Sequence, residues 1–231
     1  MRQFLLRLID WIDDFFRKHF HAENKNLPYY ITLIVAAVFF SLALNAFIEI
    51  TDELAENELG AFDKSVTDFV LSFRSESLTR FFSFMTEVGD RYAYLTVAIA
   101  LAFFFYLKHR SWKFILQMAL VLMLSTLSNI VLKEVIQRER PAIEHLVSVD
   151  TLSYPSGHSM SAMAFYGFII YLLTQMQMPR ALRVSLITLL ILIILSVGVS
   201  RIYLGVHFPS DVAAGFMGGL IWVTFCVIIF N

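Results

Sequence analysis

Charge is scarce in this chain. Only 16% of its 231 residues are Asp, Glu, Lys or Arg, whereas soluble domains carry roughly a quarter. The net charge is −1, so there is no basic excess of the kind a nucleic-acid surface needs, and no nucleic-acid partner is expected. Cysteine is almost missing. Cys226 stands alone in an apolar run, which excludes an intramolecular disulfide and any Cys/His cluster with metal-ligand spacing. No repeat and no low-complexity segment is present. The few glycines are scattered, apart from Gly215, Gly218 and Gly219, whose spacing suits close helix packing through small residues.

What the chain has instead is apolar sequence. Hydrophobic residues make up 58% and aromatic residues 15%, and mean hydropathy is +0.69. The excess lies in long runs, the mark of membrane spans rather than of one large core. The expected architecture is an all-α integral membrane bundle of six transmembrane helices. These run from Tyr29 to Ile48, Tyr92 to Leu107, Phe114 to Leu132, Ser159 to Gln175, Val184 to Val199, and Val212 to Phe230. Before them, Phe4, Leu5, Leu8, Ile9, Ile12, Phe15 and Phe16 recur at helical spacing, with Arg7, Asp10, Asp14, Arg17 and Lys18 largely opposite. Residues 1–26 therefore read as an amphipathic helix in the membrane interface. Acidic residues interrupt any signal-peptide core there. Residues 27–231 form one membrane domain, in which the acidic stretch 49–91 is an extramembrane or interfacial segment holding short helices.

Basic residues flank the first span and fill the turns at Lys108–Lys113 and Arg180–Arg183. The positive-inside rule makes that face cytoplasmic and puts both termini there. The segments 49–91, 133–158 and 200–211 then fall on the extracytoplasmic side. Lys133, Arg140 and Arg201 break the charge bias on that side, and anion binding is one reason for them to be there.

Three clusters carry chemistry. In the first, Lys133 and Arg140 are seven residues apart, two helical turns, and so would share a face of a helix that Pro141 ends. Such a pair suits an anion with several oxygens, although an ordinary juxtamembrane basic patch reads the same way. Arg138 falls off that face, with Glu134 and Glu139 as solvated partners. The second cluster is Tyr154-Pro155-Ser156-Gly157-His158-Ser159. Ser156 is a good N-cap and Gly157 permits close backbone approach, so the start of the fourth span makes an anion site. Simple capping beside an interfacial His158 is the plainer alternative. The third is Ser200-Arg201-x5-His207-Phe208-Pro209-Ser210-Asp211. Pro209 suits a first helical turn, from which Asp211 reaches back to His207. A carboxylate on one imidazole nitrogen leaves the other free to attack, though a structural His–Asp pair would have the same spacing.

Taken in order, Lys133-x6-Arg140-Pro141, Pro155-Ser156-Gly157-His158 and Ser200-Arg201-x5-His207-x3-Asp211 resemble the type 2 phosphatidic acid phosphatase (PAP2) family, which is related to the vanadium haloperoxidases. Every position of that tripartite signature is matched, over roughly residues 80–230. The resemblance implies that His207 attacks phosphorus, Asp211 orients it, and His158 protonates the leaving oxygen and then activates water. It implies that Lys133, Arg140, Ser156, Gly157 and Arg201 bind the phosphate. No metal and no cofactor is expected. His19, His21, His109 and His145 match nothing in the signature.

The implied activity is a plasma-membrane, multi-pass phosphatase acting on a lipid phosphate or diphosphate through a phosphohistidine. Substrates in the family include phosphatidylglycerophosphate, phosphatidic acid and undecaprenyl diphosphate. The expected partners are that lipid and the surrounding membrane lipids. Two alternatives remain at this level. One is a phosphotransferase or a phosphatase of soluble esters. The other is a non-catalytic lipid-binding or transport protein.

Overall fold

The computed structural model describes residues 26–109, 112–149 and 151–230, and these fold into helices with no strand among them. The helices are α1 (Leu27–Ala55), α2 (Gly60–Leu71), α3 (Glu76–Val88), α4 (Arg91–His109), α5 (Lys113–Ile136), α6 (Gly157–Gln175), α7 (Arg180–Tyr203) and α8 (Pro209–Phe230). Of the amphipathic helix expected over 1–26, residues 1–25 lie outside the described residues.

Helices α1, α5, α7 and α8 are long and apolar enough to cross a membrane. Their outward faces are apolar: Val38, Phe39 and Leu42 on α1, and Leu189 and Leu192 on α7, are all exposed. In water such faces would be a liability; against lipid tails they are what a spanning helix requires. Each of the other two expected spans is also a helix. The apolar part of α4 is shorter, Arg91–Phe103. Helix α6 sits at the centre, packed on α5, α7 and α8, and buries Ala162, Ala164, Phe165 and Phe168 completely. Its neighbours are mostly protein, so it does not need the greasy outer face of its companions.

Close contact between α6 and α8 depends on small residues. A Cβ at Gly219 would lie 2.5 Å from the Met160 carbonyl oxygen, and one at Gly215 would lie 2.7 Å from that of Ser156. Both obstacles are backbone and cannot swing aside, which explains glycine at these positions.

Two boundaries differ from the sequence reading, and both matter for the site. The first helix continues past Ile48 to Ala55, so that Thr51 reaches the Tyr154 hydroxyl at 2.8 Å. The third expected span does not run on as helix to Pro141. It stops at Ile136, and Gln137 turns left-handed with φ 51°. Lys133 and Arg140 therefore share no helical face; tertiary folding brings them together instead. Within 49–91 the short helices are α2 and α3. Tyr203, at the end of α7, holds them: its hydroxyl accepts from the Ser75 amide at 2.9 Å, its carbonyl accepts from Arg74 at 3.1 Å, and its ring packs on Phe82 at 4.6 Å.

Candidate active site

The site forms where α5, α6, α7 and α8 end on one side of the bundle. His207 lies in the short connection between α7 and α8, only 3% exposed. Its position follows from local geometry. Gly205 takes φ +79°, where a Cβ would lie 2.5 Å from the Glu144 carbonyl oxygen, and the Val206 and His207 amides both donate to the Arg201 carbonyl. The chain thus makes a tight reversal that only glycine accommodates. Pro209 then opens α8, and Asp211 in its first turn reaches back so that Oδ2 accepts from the Phe208 amide at 2.9 Å.

The same oxygen faces His207 Nδ1 at 3.4 Å and accepts from Ser153 Oγ at 2.5 Å. On the other side of the ring, Arg140 Nη1 lies 3.2 Å from Nε2. A guanidinium can only donate, so Nε2 carries the lone pair and Nδ1 the proton, shared between Asp211 and Ser153. Burial, reinforced by Arg140 and Arg201 and opposed by Asp211, pushes the His207 pKa down to about 3. The imidazole is therefore neutral at ordinary pH, with its free nitrogen among cations.

Those cations come from three elements. Lys133, near the end of α5, donates to the Leu152 and Ser153 carbonyls. Arg140, in the loop after it, donates to the Thr151 and Val206 carbonyls at 2.6 and 2.5 Å. Burial lowers the pKa of this guanidinium from its usual value. Arg201, in the last turn of α7 and 3% exposed, donates to Thr86 Oγ1, and its Nε has no partner among the described residues. All three bond neutral carbonyls or hydroxyls, and none has a carboxylate within 4.0 Å among the described residues. A concentration of positive charge with an unanswered buried donor is suited to an oxyanion.

The N-terminus of α6 points to the same place. Ser156 caps the helix: its Oγ accepts from the Ser159 amide at 3.4 Å, and its own amide donates to the Asp211 carbonyl at 3.0 Å. The Gly157 and His158 amides are left open among the described residues, and the helix dipole favours an anion there. His158 lies within electrostatic reach of Arg201, His207, Arg140 and Lys133. All eight residues singled out in the sequence thus gather at one end of the bundle, with Ser156 committed to capping. His145, by contrast, is tied to the Pro141 carbonyl at 2.9 Å.

A cleft of about 600 Å³ leads to His158. Its wall is apolar, with Leu95, Ala98 and Ile99 from α4 facing Met118 and Leu122 from α5. Its lining also includes the polar groups of Asp90, Arg91, Asn129 and His158, with Asn129 beside Gly157. The volume and the amphiphilic lining are those of a small-molecule site.

Three functional neighbours escaped the sequence reading. Ser153 bonds both Asp211 and His207. Arg138 is not the solvated residue expected: it pairs with Asp211 Oδ1 at 2.7 Å and with Asp63 Oδ2 at 2.7 Å, and stacks over the Phe208 ring at 4.1 Å. Asp63, on α2, is 2% exposed. Only the departure of Lys133-x6-Arg140 from continuous helix would have exposed Arg138, and no sequence signal separates Asp63 from the other acids of 49–91.

The model of the PAP2 superfamily matches residues 114–231, a segment that spans α5 to α8 and contains every residue of the cationic cluster. The chain belongs to the PAP2 superfamily. It is 35% identical over 179 residues to phosphatidylglycerophosphatase B of Bacillus subtilis (strain 168), an alignment covering 76% of this chain and 86% of that protein. Its fold is similar to the crystal structure of a transmembrane PAP2-type phosphatidylglycerolphosphate phosphatase from Bacillus subtilis, with a TM-score of 0.75 and 29% identity over 81% of this chain and 93% of the other. It is also similar to Aquifex aeolicus LpxE, with a TM-score of 0.57 and 26% identity over 72% and 92% of the two chains. With its apolar helices, this makes the chain a multi-pass membrane protein and a lipid phosphatase of the PAP2 superfamily.

Proposed function

We propose that the chain hydrolyses a glycerophospholipid monoester of the phosphatidylglycerophosphate type through a phosphohistidine on His207. The observation that carries the mechanism is the arrangement of one imidazole. Nδ1 faces Asp211 at 3.4 Å while Nε2 faces Arg140 at 3.2 Å. In the first step, the Nε2 lone pair attacks phosphorus and the phosphorus–oxygen bond to the lipid breaks. His158 gives its proton to the departing oxygen. In the second, His158 takes a proton from water, the resulting hydroxide attacks phosphorus, and the nitrogen–phosphorus bond breaks to release phosphate. Asp211 holds the tautomer and stabilises the charge that His207 acquires. Lys133, Arg140, Arg201 and the Gly157 amide hold the phosphoryl oxygens and answer the charge that develops on them. Ser156 acts through the helix cap.

The amphiphilic cleft supports a lipid substrate: acyl chains lie along α4 and α5, and the phosphate enters past His158. The phosphatidylglycerophosphatase relatives support the glycerophosphate headgroup. In this reading residues 27–231 form six spans with residues 1–26 as an interfacial helix, α2 and α3 lie outside the bilayer, both termini are cytoplasmic, and the site opens on the extracytoplasmic side of the plasma membrane. The chemistry uses no metal.

The test is phosphate release from purified phosphatidylglycerophosphate, phosphatidic acid and undecaprenyl diphosphate in detergent micelles, with and without EDTA. The reading expects the first to be turned over fastest, and EDTA to change nothing. Faster turnover of a water-soluble phosphate ester than of every lipid would sink it, and so would loss of activity on chelation.

A further inference from the structure

The proposed reaction uses Lys133, Arg140 and Arg201, and leaves out the one arginine in the site that pairs with carboxylates among the described residues. Arg138 Nη1 donates to Asp211 Oδ1 at 2.7 Å and to Ser210 Oγ at 2.8 Å, and its Nη2 donates to Asp63 Oδ2 at 2.7 Å. Asp63 is anchored in turn. Its Oδ1 accepts from the Ser210 amide at 2.9 Å, and its Oδ2 from Ser210 Oγ at 2.7 Å. The Ser210 amide belongs to the first turn of α8, where amides have no acceptor in their own helix. A carboxylate from α2 therefore caps the helix that carries Asp211.

We infer that Asp63 and Arg138 are positioning residues for the phosphatase reaction: together they fix the Asp211 carboxylate, and through it the tautomer and aim of His207. The inference deepens the reading proposed above and rests on His207 being the nucleophile.

Three features support it. The first is the division of Asp211's oxygens. Oδ1 is held by Arg138, while Oδ2 is left to His207, Ser153 and the Phe208 amide. Without Arg138, Oδ1 loses its charged donor and only the bonds to Oδ2 orient the carboxylate. The second is geometry. A guanidinium is a planar fork that can bridge two carboxylates, whereas an ammonium is a point donor. The Phe208 ring lies against this fork, with the guanidinium carbon 4.1 Å from the ring centroid. The third is the backbone just before it. Gln137 takes φ 51°, a left-handed conformation that a residue with a Cβ adopts at a cost. That turn breaks the helix and sends Arg138 towards Asp63 and Asp211.

Charge explains why the pair is useful. Asp211 and Asp63 are both buried acids near the start of α8, and one arginine between them answers both. The Nη1 and Nη2 groups of Arg138 donate to carboxylates and Ser210 on the Nδ1 side of His207, away from the Nε2 that faces the cations. Its loss should therefore disturb catalysis more than substrate capture.

The test measures kcat and KM for Asp63→Asn and Arg138→Lys with phosphatidylglycerophosphate in detergent micelles. Asp68→Asn, on the exposed face of the same helix, is the control. Both site variants should lose about tenfold or more in kcat, as expected when a charged hydrogen-bond partner is removed, with KM within about twofold. The control should match the parent chain. In parallel, nitrogen-15 NMR of histidine-labelled protein, with the His207 signals assigned through His207→Gln, reads the tautomer directly without substrate. The parent should show a protonated Nδ1, and both variants a mixture. Asp63→Asn keeps the shape of the side chain, so it serves if Arg138→Lys does not fold. Unchanged kcat in a folded variant overturns the inference; so does a rise in KM with the tautomer intact, which would make Arg138 a phosphate ligand. If the parent turns over no phosphatidylglycerophosphate, the proposed function fails instead, while the NMR result still decides the positioning role.

Discussion

The two sides of the His207 ring are built on opposite rules. On the Nδ1 side every charge is answered. Asp211, Asp63 and Arg138 form a closed set of ion pairs and hydrogen bonds with Ser153, Ser210 and the first amides of α8. On the Nε2 side the charge is unanswered: among the described residues Lys133, Arg140 and Arg201 bond only neutral oxygens and, for Arg140, the neutral His207 ring, and the Arg201 Nε has no hydrogen-bond partner. A satisfied buried network rigidifies its members, whereas an unsatisfied one calls for a ligand. In the proposed reaction the contrast separates what holds the nucleophile from what receives the phosphate. Arg138 and Arg140 make it sharpest, since they lie two residues apart in sequence and face opposite sides.

The strongest way to break this contrast is at the ring itself. His207→Ala should abolish lipid phosphate hydrolysis, with a loss on the order of 10⁴-fold or more, while the purified protein keeps its helical circular dichroism. Measurable turnover above about a thousandth of the parent rate would put the nucleophile elsewhere.

Next comes the held side. Asp211→Asn should cost about 10³- to 10⁴-fold in kcat by favouring the wrong tautomer, the behaviour of an orienting aspartate in a catalytic triad. KM should change little, and a steady-state titration with substrate separates the two.

The receiving side should respond differently. Arg201→Ala removes a donor to the developing phosphoryl charge and should lower kcat/KM by about 10²- to 10³-fold. It should also weaken inhibition by vanadate, a mimic of five-coordinate phosphorus, and an unchanged vanadate response would move Arg201 out of the phosphate pocket.

A smaller effect is expected in the cleft. Ala98→Trp narrows the channel between α4 and α5 and should raise KM for long-chain lipids by about tenfold, while a short-chain soluble phosphate ester keeps its rate. Equal effects on both would argue against chain binding in this cleft.

The smallest effect is on stability. The pKa of His207 is depressed to about 3 in the fold and returns to about 6.5 in the unfolded chain. As pH falls below about 6.5 the unfolded state takes up a proton that the folded state refuses, so stability falls between about pH 6.5 and 3. Thermal unfolding of His207→Gln should show less of this acid sensitivity than the parent, and identical slopes would contradict the neutral imidazole.

The sequence made much of this legible for a physical reason. Long apolar runs separate spans from loops regardless of tertiary detail, and charges stranded between such runs need a function. Lys133, Arg140, Arg201, His207 and Asp211 drew notice on that ground, each with a plainer alternative, and the resemblance to the PAP2 family gave them and His158 their expected roles. Ser156 was legible as a cap because capping is local. The reach of Asp211 back towards His207 was legible too, because both lie within one turn of Pro209.

Arg138, Asp63 and Ser153 were not legible, because their partners are far away in sequence. Asp63 looks like any other acid of 49–91 until α2 folds against the start of α8. Arg138 looked solvated because the helix was expected to continue to Pro141. The helix ends earlier, at Ile136, where Gln137 turns left-handed and Arg138 reaches two buried carboxylates. Local pattern thus determined an all-helical membrane chain, its superfamily signature and the residues of the cationic side. Tertiary structure alone decided how His207 and Asp211 are held, because a buried carboxylate and its arginine are chosen by proximity in space, and proximity between α2 and α8 leaves no periodic trace in the chain.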